Sequence, residues 1–381
     1  MRIGMFANSY LPVVNGVVRS IMLYRQGLLD RCHFVGVFAP DARNYEDEQP
    51  FIFRYPAIPL PTQLKLSFPV VAAPHITWMV PRLKLDVIHA HHPVIVGAEA
   101  ARFSEELDIP LIFTFHTMYH EYTHYFLGMD NELVKQIVRK SVRDFANRAD
   151  HIIAPSPAVV DLMPDYGITK PVDILPTPVD IEQFKPRPKP LLDDPDRVRL
   201  IYVGRVAKEK NLDFLLRVFA RVAAKDERVE MLLVGGGPSL EDLKKLARQL
   251  KIDNRITFTG MVPFERVVDE LSQADLFIFS STSETQGLVV LEAMAAGLPL
   301  VMVASKALMY FVNPDEDCVV VPEDEEDMTA AILALIDAPA RLRAMGQAAR
   351  KNAEKYSIPA LTSRLLDVYQ KAADAHYRID A

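Results

Sequence analysis

The sequence predicts an α/β protein with two Rossmann-like domains, and three observations support this. The chain has 381 residues, which is more than one hydrophobic core usually supports. Short β-rich runs alternate with longer amphipathic segments, a pattern typical of a parallel sheet covered by helices on both faces. The alternation stops at a proline-rich stretch, residues 176–195, and then starts again. We therefore expect two domains of one class joined by a linker.

The expected elements follow in chain order. Strands in the first half are predicted at Arg2–Ala7, Phe34–Ala39, Phe51–Tyr55, Val87–Ala90, Leu111–Phe115 and His151–Ala154. Strands in the second half are predicted at Leu200–Val203, Glu230–Val234, Ile256–Thr259, Asp275–Phe279, Leu300–Val303 and Val319–Val321. Residues 325–381 are predicted to form successive helices, separated near Pro339 and at Ser357–Pro359.

Composition excludes several classes of protein. Half of the residues are hydrophobic and 24% are charged, as in an ordinary globular protein and unlike a disordered one. A net charge of -7 disfavours bulk binding of nucleic acid, which needs clustered Lys and Arg. The only two cysteines, Cys32 and Cys318, lie in apolar stretches, so we expect buried thiols in a reducing compartment.

The sequence also bears on location. Residues 1–7 form a strand pattern directly and show neither the apolar region nor the cleavage site of a secretion signal. Apolar runs elsewhere are interrupted by charge or proline before they reach the roughly 20 residues that a spanning helix needs. We expect a cytosolic protein that is still able to touch a membrane surface.

Two glutamates separated by seven residues carry the strongest functional signal. Glu284 is expected in a loop at the carboxyl end of a strand, and Glu292 about two turns into the following helix. Both side chains can then face one ligand in the crevice where folds of this class bind. The backbone amides from Gly287 to Val289 are expected at the helix N-terminus, which favours a phosphate.

Two further segments also follow predicted strands. Arg205 offers a planar fork and Lys210 a point charge, which together suit a diphosphate. Gly16 follows the first strand and lets the backbone approach an anion closely. Each segment alone has an ordinary structural explanation, a turn at Gly16 and a solvated or helix-capping side chain at Arg205. Their joint occurrence at strand ends favours a binding site.

Together, the Glu-x7-Glu segment, the Gly204-Arg205-x4-Lys210-Asn211 segment and the Gly16 loop resemble glycosyltransferase family 4, retaining enzymes of GT-B fold. The resemblance covers nearly the whole chain. It implies two Rossmann-like domains facing across a cleft. Residues 1–178 would bind the acceptor, residues 179–355 would bind the nucleotide sugar, and residues 356–381 would form a helical tail packed on the first domain.

The resemblance also implies roles for single residues. Glu284 would bind hydroxyls of the donor sugar and Glu292 the ribose, while Arg205 and Lys210 would hold the diphosphate. Other donor contacts are implied at Gly16, Gly204, Gly235, Gly260, Met261, Val262, Thr285, Gln286, Gly287, Leu288 and Val289. The implied catalytic residues are His116, Arg205, Lys210 and Glu284.

His116 follows a first-domain strand and matches the family histidine beside the transferred sugar. Outside that family context, a histidine at a strand end is usually a structural hydrogen-bonding group. The sequence departs from the common family pattern at Asn15, where a second glycine often precedes Gly16. It also departs at Gln286, where an aromatic residue is frequent, and this departure concerns donor preference and not reaction class.

The same likeness implies a mechanism. The nucleoside diphosphate would leave and the acceptor would attack from the same face, with Arg205, Lys210 and the helix dipole stabilising the charge on the leaving group. No Asp-x-Asp metal signature with supporting ligands is evident, so we expect a metal-independent enzyme. We expect no cofactor, because the nucleotide sugar, UDP-glucose or UDP-galactose, is a substrate.

The predicted acceptor depends on the stretch after His116. Tyr119 and Tyr122 recur at helical spacing, as in a helix face packed on a core, yet the stretch resembles the bacterial diacylglycerol glycosyltransferases. A diacylglycerol-type lipid is therefore the predicted acceptor. The acceptor-side candidates are His91, His92, Tyr119, Tyr122 and His124.

Three neighbouring histidines, His89, His91 and His92, raise the alternative of a metal site, because imidazole is a common zinc ligand. Adjacent residues on an extended strand point opposite ways, however, and no nearby carboxylate or cysteine completes the set. The pattern favours a strand-end loop on the acceptor side.

Residues 63–85 suggest contact with an anionic membrane surface. The segment has no acidic residue and combines apolar side chains, among them Phe68 and Trp78, with Lys65, Arg82 and Lys84. Its prolines interrupt a clean amphipathic helix, so packing of the apolar side chains in the core is the alternative.

Three other functions stay open from the sequence. The enzyme could transfer sugar to a soluble glycan or small metabolite, or it could be a GT-B sugar-nucleotide epimerase. A non-catalytic nucleotide-binding module is the third alternative, and the intact set of Arg205, Lys210, Glu284 and Glu292 disfavours it.

Overall fold

The computed structural model describes residues 1–59, 67–117, 132–184, 192, 194 and 196–378. The chain divides into two compact units, Met1–Pro178 with Ile358–Ala381, and Val179–Ser357. Each unit contains its own parallel sheet, and a helix follows most of its strands. The α/β class predicted from the sequence is confirmed.

The first unit contains a seven-stranded sheet in the order β3-β2-β1-β6-β7-β8-β9. The strands of the unit are β1 (Arg2–Phe6), β2 (Phe34–Pro40), β3 (Ile52–Tyr55), β4 (Ala57–Pro59), β5 (Ser67–Pro69), β6 (Val87–Ala90), β7 (Leu111–Thr114), β8 (His151–Ala154) and β9 (Val172–Ile174). β4 and β5 pair with each other in antiparallel orientation, apart from this sheet. The central strands are buried along nearly their whole length, as expected where helices cover both faces.

Among the described residues, six α-helices of the first unit precede its junction with the second. They are α1 (Gly16–Leu29), α2 (Pro74–Met79), α3 (Val96–Leu107), α4 (Glu132–Ala146), α5 (Pro157–Val160) and α6 (Met163–Tyr166) in the described residues. Asn15 caps α1, because its side-chain Oδ1 accepts a hydrogen bond from the backbone N–H of Val18 at 3.0 Å. The cap fixes where the loop after β1 ends and the helix begins.

The second unit contains a six-stranded sheet in the order β12-β11-β10-β13-β14-β15. Its strands are β10 (Val198–Val203), β11 (Val229–Val234), β12 (Ile256–Gly260), β13 (Leu276–Phe279), β14 (Leu300–Val303) and β15 (Cys318–Val321). Its helices are α7 (Leu212–Lys225), α8 (Leu240–Gln249), α9 (Phe264–Gln273), α10 (Leu288–Ala295), α11 (Glu325–Ile336) and α12 (Pro339–Ala353). Apolar residues of α7 recur every three or four positions, and this face is buried against the sheet.

The last helix, α13 (Ile358–Arg378), belongs to the first unit. Its buried face includes Leu361, Leu365 and Tyr369, and its Lys371 forms an ion pair of 2.9 Å with Asp173 of β9. Within the described ranges, no helix combines the length and the apolar character needed to cross a bilayer.

Several details differ from the sequence prediction. β4, β5 and β9 were not expected, because runs of three residues are too short to show a periodic pattern. The prediction that both cysteines are buried was wrong for Cys32, which is exposed in the turn after α1 with a φ of 61°. Cys318 is buried at the start of β15.

Candidate functional site

The sheet of the second unit has a topological switch point between β10 and β13, where the strand order reverses. The chain adds β11 and β12 on one side of β10, and then places β13, β14 and β15 on the other side. Ligands of open α/β sheets bind at the carboxyl ends of the strands at such a switch point. The loops that leave β10 and β13 contain Arg205, Lys210 and Glu284, so the topology brings these predicted residues to one place.

Two ion pairs neutralise the cations at this point. Lys210 Nζ lies 2.6 Å from Glu284 Oε1, and the two side chains are only 14% and 13% exposed. The Arg205 guanidinium donates to the Glu209 carboxylate four residues further along the same loop. The Lys210–Glu284 pair therefore links the two loops across the switch point, whereas the Arg205–Glu209 pair stays within one loop.

Two serines that the sequence analysis did not single out hold the loops together. Ser280 Oγ donates to the backbone carbonyl oxygens of Lys210 and Asn211, at 2.9 and 3.0 Å. Ser283 Oγ donates to the carbonyl oxygen of Glu209 at 3.2 Å. Serine is common in loops, and only the pairing of β10 with β13 reveals these contacts.

The helix α10 presents its N-terminus beside Glu284. Gly287 is the N-cap and has a φ of 72°, a left-handed conformation that favours glycine. A Cβ there would lie 2.4 Å from Leu308 Cδ2, so a side chain is also excluded by packing. The backbone N–H groups of Leu288 and Val289 open the helix, as predicted, and the first-turn N–H groups of a helix favour an anion.

Glu292 lies closer to the helix start than predicted. It is the fifth residue of α10, little more than one turn after Leu288, whereas about two turns were expected. Its side chain is buried, as is that of Gln286, whereas Thr285 is partly exposed. Thr285 and Gln286, both predicted donor contacts, lie in the short loop between Glu284 and the helix.

Three glycines at the carboxyl ends of β10, β11 and β12 lie close together. The N–H of Gly235 donates to the carbonyl oxygen of Gly260 at 3.2 Å. A Cβ at Gly235 would lie 1.9 Å from the carbonyl oxygen of Gly204, so only glycine fits this approach. Met261 follows with 84% of its surface exposed, and Val262 is partly exposed.

In the first unit, the predicted anion-binding glycine opens a helix. Gly16 is the first residue of α1 and is exposed, with no atom within 4 Å of the position where a Cβ would lie. The preceding Asn15 caps the helix, which gives a structural reason for a polar residue there. The N-terminus of α1 is thus exposed at Gly16, and an anion contact there stays a prediction.

The sheet of the first unit has its own switch point, between β1 and β6, and histidines collect beside it. His91 Nδ1 lies 3.0 Å from His116 Nε2, which joins the residues that follow β6 and β7. The Nδ1 of His92 accepts a hydrogen bond from a different loop, from the backbone N–H of Asn8 at 3.1 Å. His91 is fully buried and His116 is partly exposed, so of this pair it is His116 that lies nearer the surface.

Burial dominates the electrostatics of these histidines. It lowers the pKa of His89 to about 3 and the pKa of His92 to about 4. Burial, followed by the neighbouring histidines, also holds the pKa of His91 and of His116 well below the usual value. All four imidazoles are therefore neutral at pH 7.

The other acceptor-side candidates, Tyr119, Tyr122 and His124, lie outside the described residues. So does Lys65 of the segment predicted to contact a membrane. Within the ranges that the structure does describe, no group of three or more His, Cys, Asp or Glu side chains is arranged to hold a metal ion.

Comparison with known proteins gives two family matches. A model described as "Glycosyltransferase Family 4" matches residues 14–183. A second, described as "Glycosyl transferases group 1", matches residues 184–352. The two matches adjoin each other and together span most of the chain.

Two relatives carry the name alpha-monoglucosyldiacylglycerol synthase. The protein from Streptococcus pneumoniae is 33% identical over 89% of this chain and 79% of its own. The protein from Acholeplasma laidlawii is 28% identical over 86% of each chain. Among solved structures, Anabaena Alr3699/HepE in complex with UDP-glucose has a TM-score of 0.77 and 19% identity, over 97% of this chain and 100% of that one. That likeness concerns the fold, two Rossmann-like domains of GT-B type.

Proposed function

The chain belongs to glycosyltransferase family 4, and from this premise we propose that it transfers a hexose from UDP-glucose or UDP-galactose to a diacylglycerol-type lipid. We further propose that the transfer retains the anomeric configuration and needs no divalent metal. The observation that carries the proposal is the convergence of Lys210, Glu284 and the N-terminus of α10 at the switch point of the second unit.

The electrostatics of the switch point support a diphosphate ligand. Lys210 and Arg205 each pair with a carboxylate of the site, so the two ion pairs together carry no net charge. A diphosphate offers more negative charge than either carboxylate, and the partial positive charge of the α10 N-terminus adds to the attraction. We expect the bound diphosphate to take over the two cations, which leaves Glu284 available to accept hydrogen bonds from sugar hydroxyls.

In the proposed reaction, the bond between the anomeric carbon and the diphosphate oxygen breaks, and a bond from that carbon to the acceptor oxygen forms on the same face. The proton of the acceptor hydroxyl passes to the leaving diphosphate, as the family likeness implies. Arg205, Lys210 and the amides of α10 stabilise the charge that develops on the diphosphate. His116 contacts the bound substrate.

The lipid acceptor rests on the names of the relatives and on one exposed surface. Both relatives named above are called alpha-monoglucosyldiacylglycerol synthases, and this chain covers 79% and 86% of their lengths. In the first unit, Phe68 and Trp78 are 48% and 61% exposed, and the Arg82 guanidinium lies 3.9 Å from the centre of the Trp78 ring. Aromatic and basic side chains in such a mixture suit the headgroup region of an anionic membrane.

Part of the predicted membrane segment packs in the core instead. Ile76, Val80 and Leu85 are buried, because α2 and the turn after it contribute to the core of the first unit. The candidate membrane surface therefore reduces to Phe68 and Trp78 with the exposed Arg82 and Lys84.

A donor and acceptor screen tests the proposed function. The protein is incubated with UDP-glucose, UDP-galactose or GDP-mannose, in the presence of diacylglycerol vesicles, of a soluble sugar, or of no acceptor. We expect a monohexosyl lipid from one UDP-sugar, with the α configuration of the donor visible in the proton coupling constant of the product. A glycosylated soluble sugar without lipid product would refute the lipid acceptor, and conversion of the UDP-sugar to its epimer without acceptor would identify an epimerase.

A further inference from the structure

The buried histidine behind His116 has no role in the reaction proposed above. His91 follows β6 directly, and His116 lies two residues beyond the end of β7, which pairs with β6 in parallel. The two rings are joined by the contact of 3.0 Å between His91 Nδ1 and His116 Nε2. We propose that His91 is a positioning residue that fixes the proton of His116 on Nδ1, so that His116 acts as a neutral hydrogen-bond donor to the substrate.

The surroundings hold the His91 ring in place. His89 lies beside it, with ring centres 4.2 Å apart, and His89 is itself fixed at both nitrogens. Its Nδ1 lies 2.8 Å from the hydroxyl of Tyr369 on α13, and its Nε2 lies 2.6 Å from Thr114 Oγ1. His91 is fully buried, so rotation of its ring would require the core to open.

The location of the shared proton follows from the state of both rings. Because burial keeps both imidazoles neutral, each carries a single N–H, and only one proton lies in the hydrogen bond between them. Either His91 donates from Nδ1 to His116 Nε2, or His116 donates from Nε2 to His91 Nδ1.

The remaining nitrogen of His91 decides between these two arrangements. Its Nε2 is buried and has no hydrogen-bond partner among the residues that the structure describes. If His116 donated, the proton of His91 would lie on this Nε2 as a buried N–H without an acceptor, and such groups are very rare in proteins. If His91 donates, Nε2 carries only a lone pair, which is less costly to leave unpaired. Donation by His91 is therefore favoured, and it places the proton of His116 on Nδ1.

This tautomer determines what His116 offers to a ligand. Its Nε2 is occupied by His91, and its Nδ1 carries a hydrogen, so the ring has no lone pair left with which to accept a proton. The inference rests on the proposed function in one respect, namely that His116 contacts substrate. It then assigns to His116 a hydrogen bond to a substrate oxygen and excludes it as the general base.

The tautomer is measurable without any activity. Long-range nitrogen–proton NMR spectra of the ¹⁵N-histidine-labelled protein distinguish a ring nitrogen that carries hydrogen from one that does not. A His116→Asn variant, in which one set of signals disappears, assigns those of His116. We expect a protonated Nδ1 and an unprotonated Nε2 at pH 7, both in the free protein and with UDP bound. A protonated Nε2 in the wild-type protein would overturn the proposal.

Two variants at His91 then test the link to function. His91→Asn keeps a donor near the position of Nδ1, because its side-chain amide carries N–H groups, whereas the carboxylate of His91→Asp only accepts. We therefore expect His91→Asn to preserve the tautomer of His116 and to keep kcat within about threefold, and His91→Asp to move a proton onto His116 Nε2 and to lower kcat by about tenfold or more. His33→Asn, a change at a partly exposed histidine that precedes β2, serves as the control.

The outcomes separate the two proposals. If no lipid product forms but His116 shows the expected tautomer, the positioning role stands and the proposed acceptor fails. If His91→Asp folds, judged by its thermal unfolding, and leaves both the tautomer and kcat unchanged, the positioning role is refuted. Should His91→Asp fail to fold, the wild-type spectrum and the His91→Asn variant still decide the question.

Discussion

Lys210 and Glu284 form an ion pair of 2.6 Å that joins the loops after β10 and β13, although 74 residues separate them in the chain. Each side chain is only slightly exposed, so each depends on the other for compensation of its charge. The pair therefore has two roles in the protein without ligand. It holds the two loops at the switch point, and in the proposed function it keeps a cation ready for the diphosphate.

Loss of either cation is expected to weaken donor binding and turnover. Arg205→Ala and Lys210→Ala should each cost about 3 kcal/mol of transition-state stabilisation, because each removes a preorganised charge partner of the diphosphate. The measurement is kcat/KM for the UDP-sugar together with the affinity for UDP from calorimetry. Lys208→Ala, an exposed lysine of the same loop, is the matched control and should stay near wild type.

The two variants should differ in stability. Lys210→Ala leaves Glu284 without its ion-pair partner and is expected to lower the midpoint of thermal unfolding, whereas Arg205→Ala removes a more exposed pair within one loop. A folded Lys210→Ala protein with wild-type turnover would contradict the diphosphate assignment.

Activity is expected to survive chelation of divalent cations. In the proposed function, Arg205, Lys210 and the N-terminus of α10 already supply positive charge to the diphosphate. Rates are compared in EDTA, in magnesium and in manganese after the protein has been freed of metal. Full loss of transfer in EDTA, with recovery on addition of either ion, would contradict the prediction. It would show that a divalent cation, in addition to these residues, stabilises the charge of the diphosphate.

Acid is expected to destabilise the first unit through its buried histidines. Burial lowers the pKa of His89 from 6.5 to about 3, so between these pH values the unfolded chain binds a proton there that the folded chain does not. The stabilising contribution is present above pH 6.5 and is lost as the pH falls, by about 1.4 kcal/mol per pH unit for each such residue. Urea unfolding at pH 7 and pH 5 measures this, followed by the fluorescence of Trp78, the only tryptophan.

A change at His89 isolates its share of the acid effect. His89→Gln retains polar atoms near Thr114 but does not titrate, and it should reduce the pH dependence of the unfolding free energy by about 1.4 kcal/mol per pH unit. Equal slopes in the wild-type protein and in His89→Gln would mean that His89 keeps its usual pKa in the folded state.

Binding to anionic vesicles is expected to depend on the basic residues of the segment 63–85. Each Lys or Arg near an anionic surface contributes about 1 kcal/mol, so changing Lys65, Arg82 and Lys84 to Ser should weaken binding about a hundredfold. Sedimentation with anionic and neutral vesicles measures the binding, and the emission of Trp78 should shift to shorter wavelength when its ring enters the headgroup region.

The matched control removes the same charge elsewhere. Lys225, Lys245 and Lys251 are exposed lysines of the second unit, and their joint change to Ser should leave vesicle binding nearly unchanged. Binding that is equal in the two triple variants would argue against this surface and in favour of a soluble acceptor.

The fold class and most strands could be predicted from the residue pattern alone. Parallel strands are buried on both faces and give short apolar runs, so β10 and β13 are recognisable without coordinates. The candidate site was recognisable because glycine and charged residues directly follow these apolar runs. This applies to the segments that contain Arg205, Lys210, Glu284 and Glu292. The local sequence pattern did not predict β4, β5 and β9, because these strands are too short to show a period. It also failed for Cys32, which has apolar neighbours in the sequence but lies in an exposed turn of the structure.

Which of these residues meet depends on how the chain packs. The order of strands in each sheet places β10 beside β13 and β1 beside β6, and no local pattern encodes that order. The contacts of Lys210 with Glu284, of Ser280 with the loop after β10, and of His91 with His116 all depend on it. Burial is likewise a property of the packed molecule, and it is burial that makes the histidines neutral and leaves a single proton between His91 and His116.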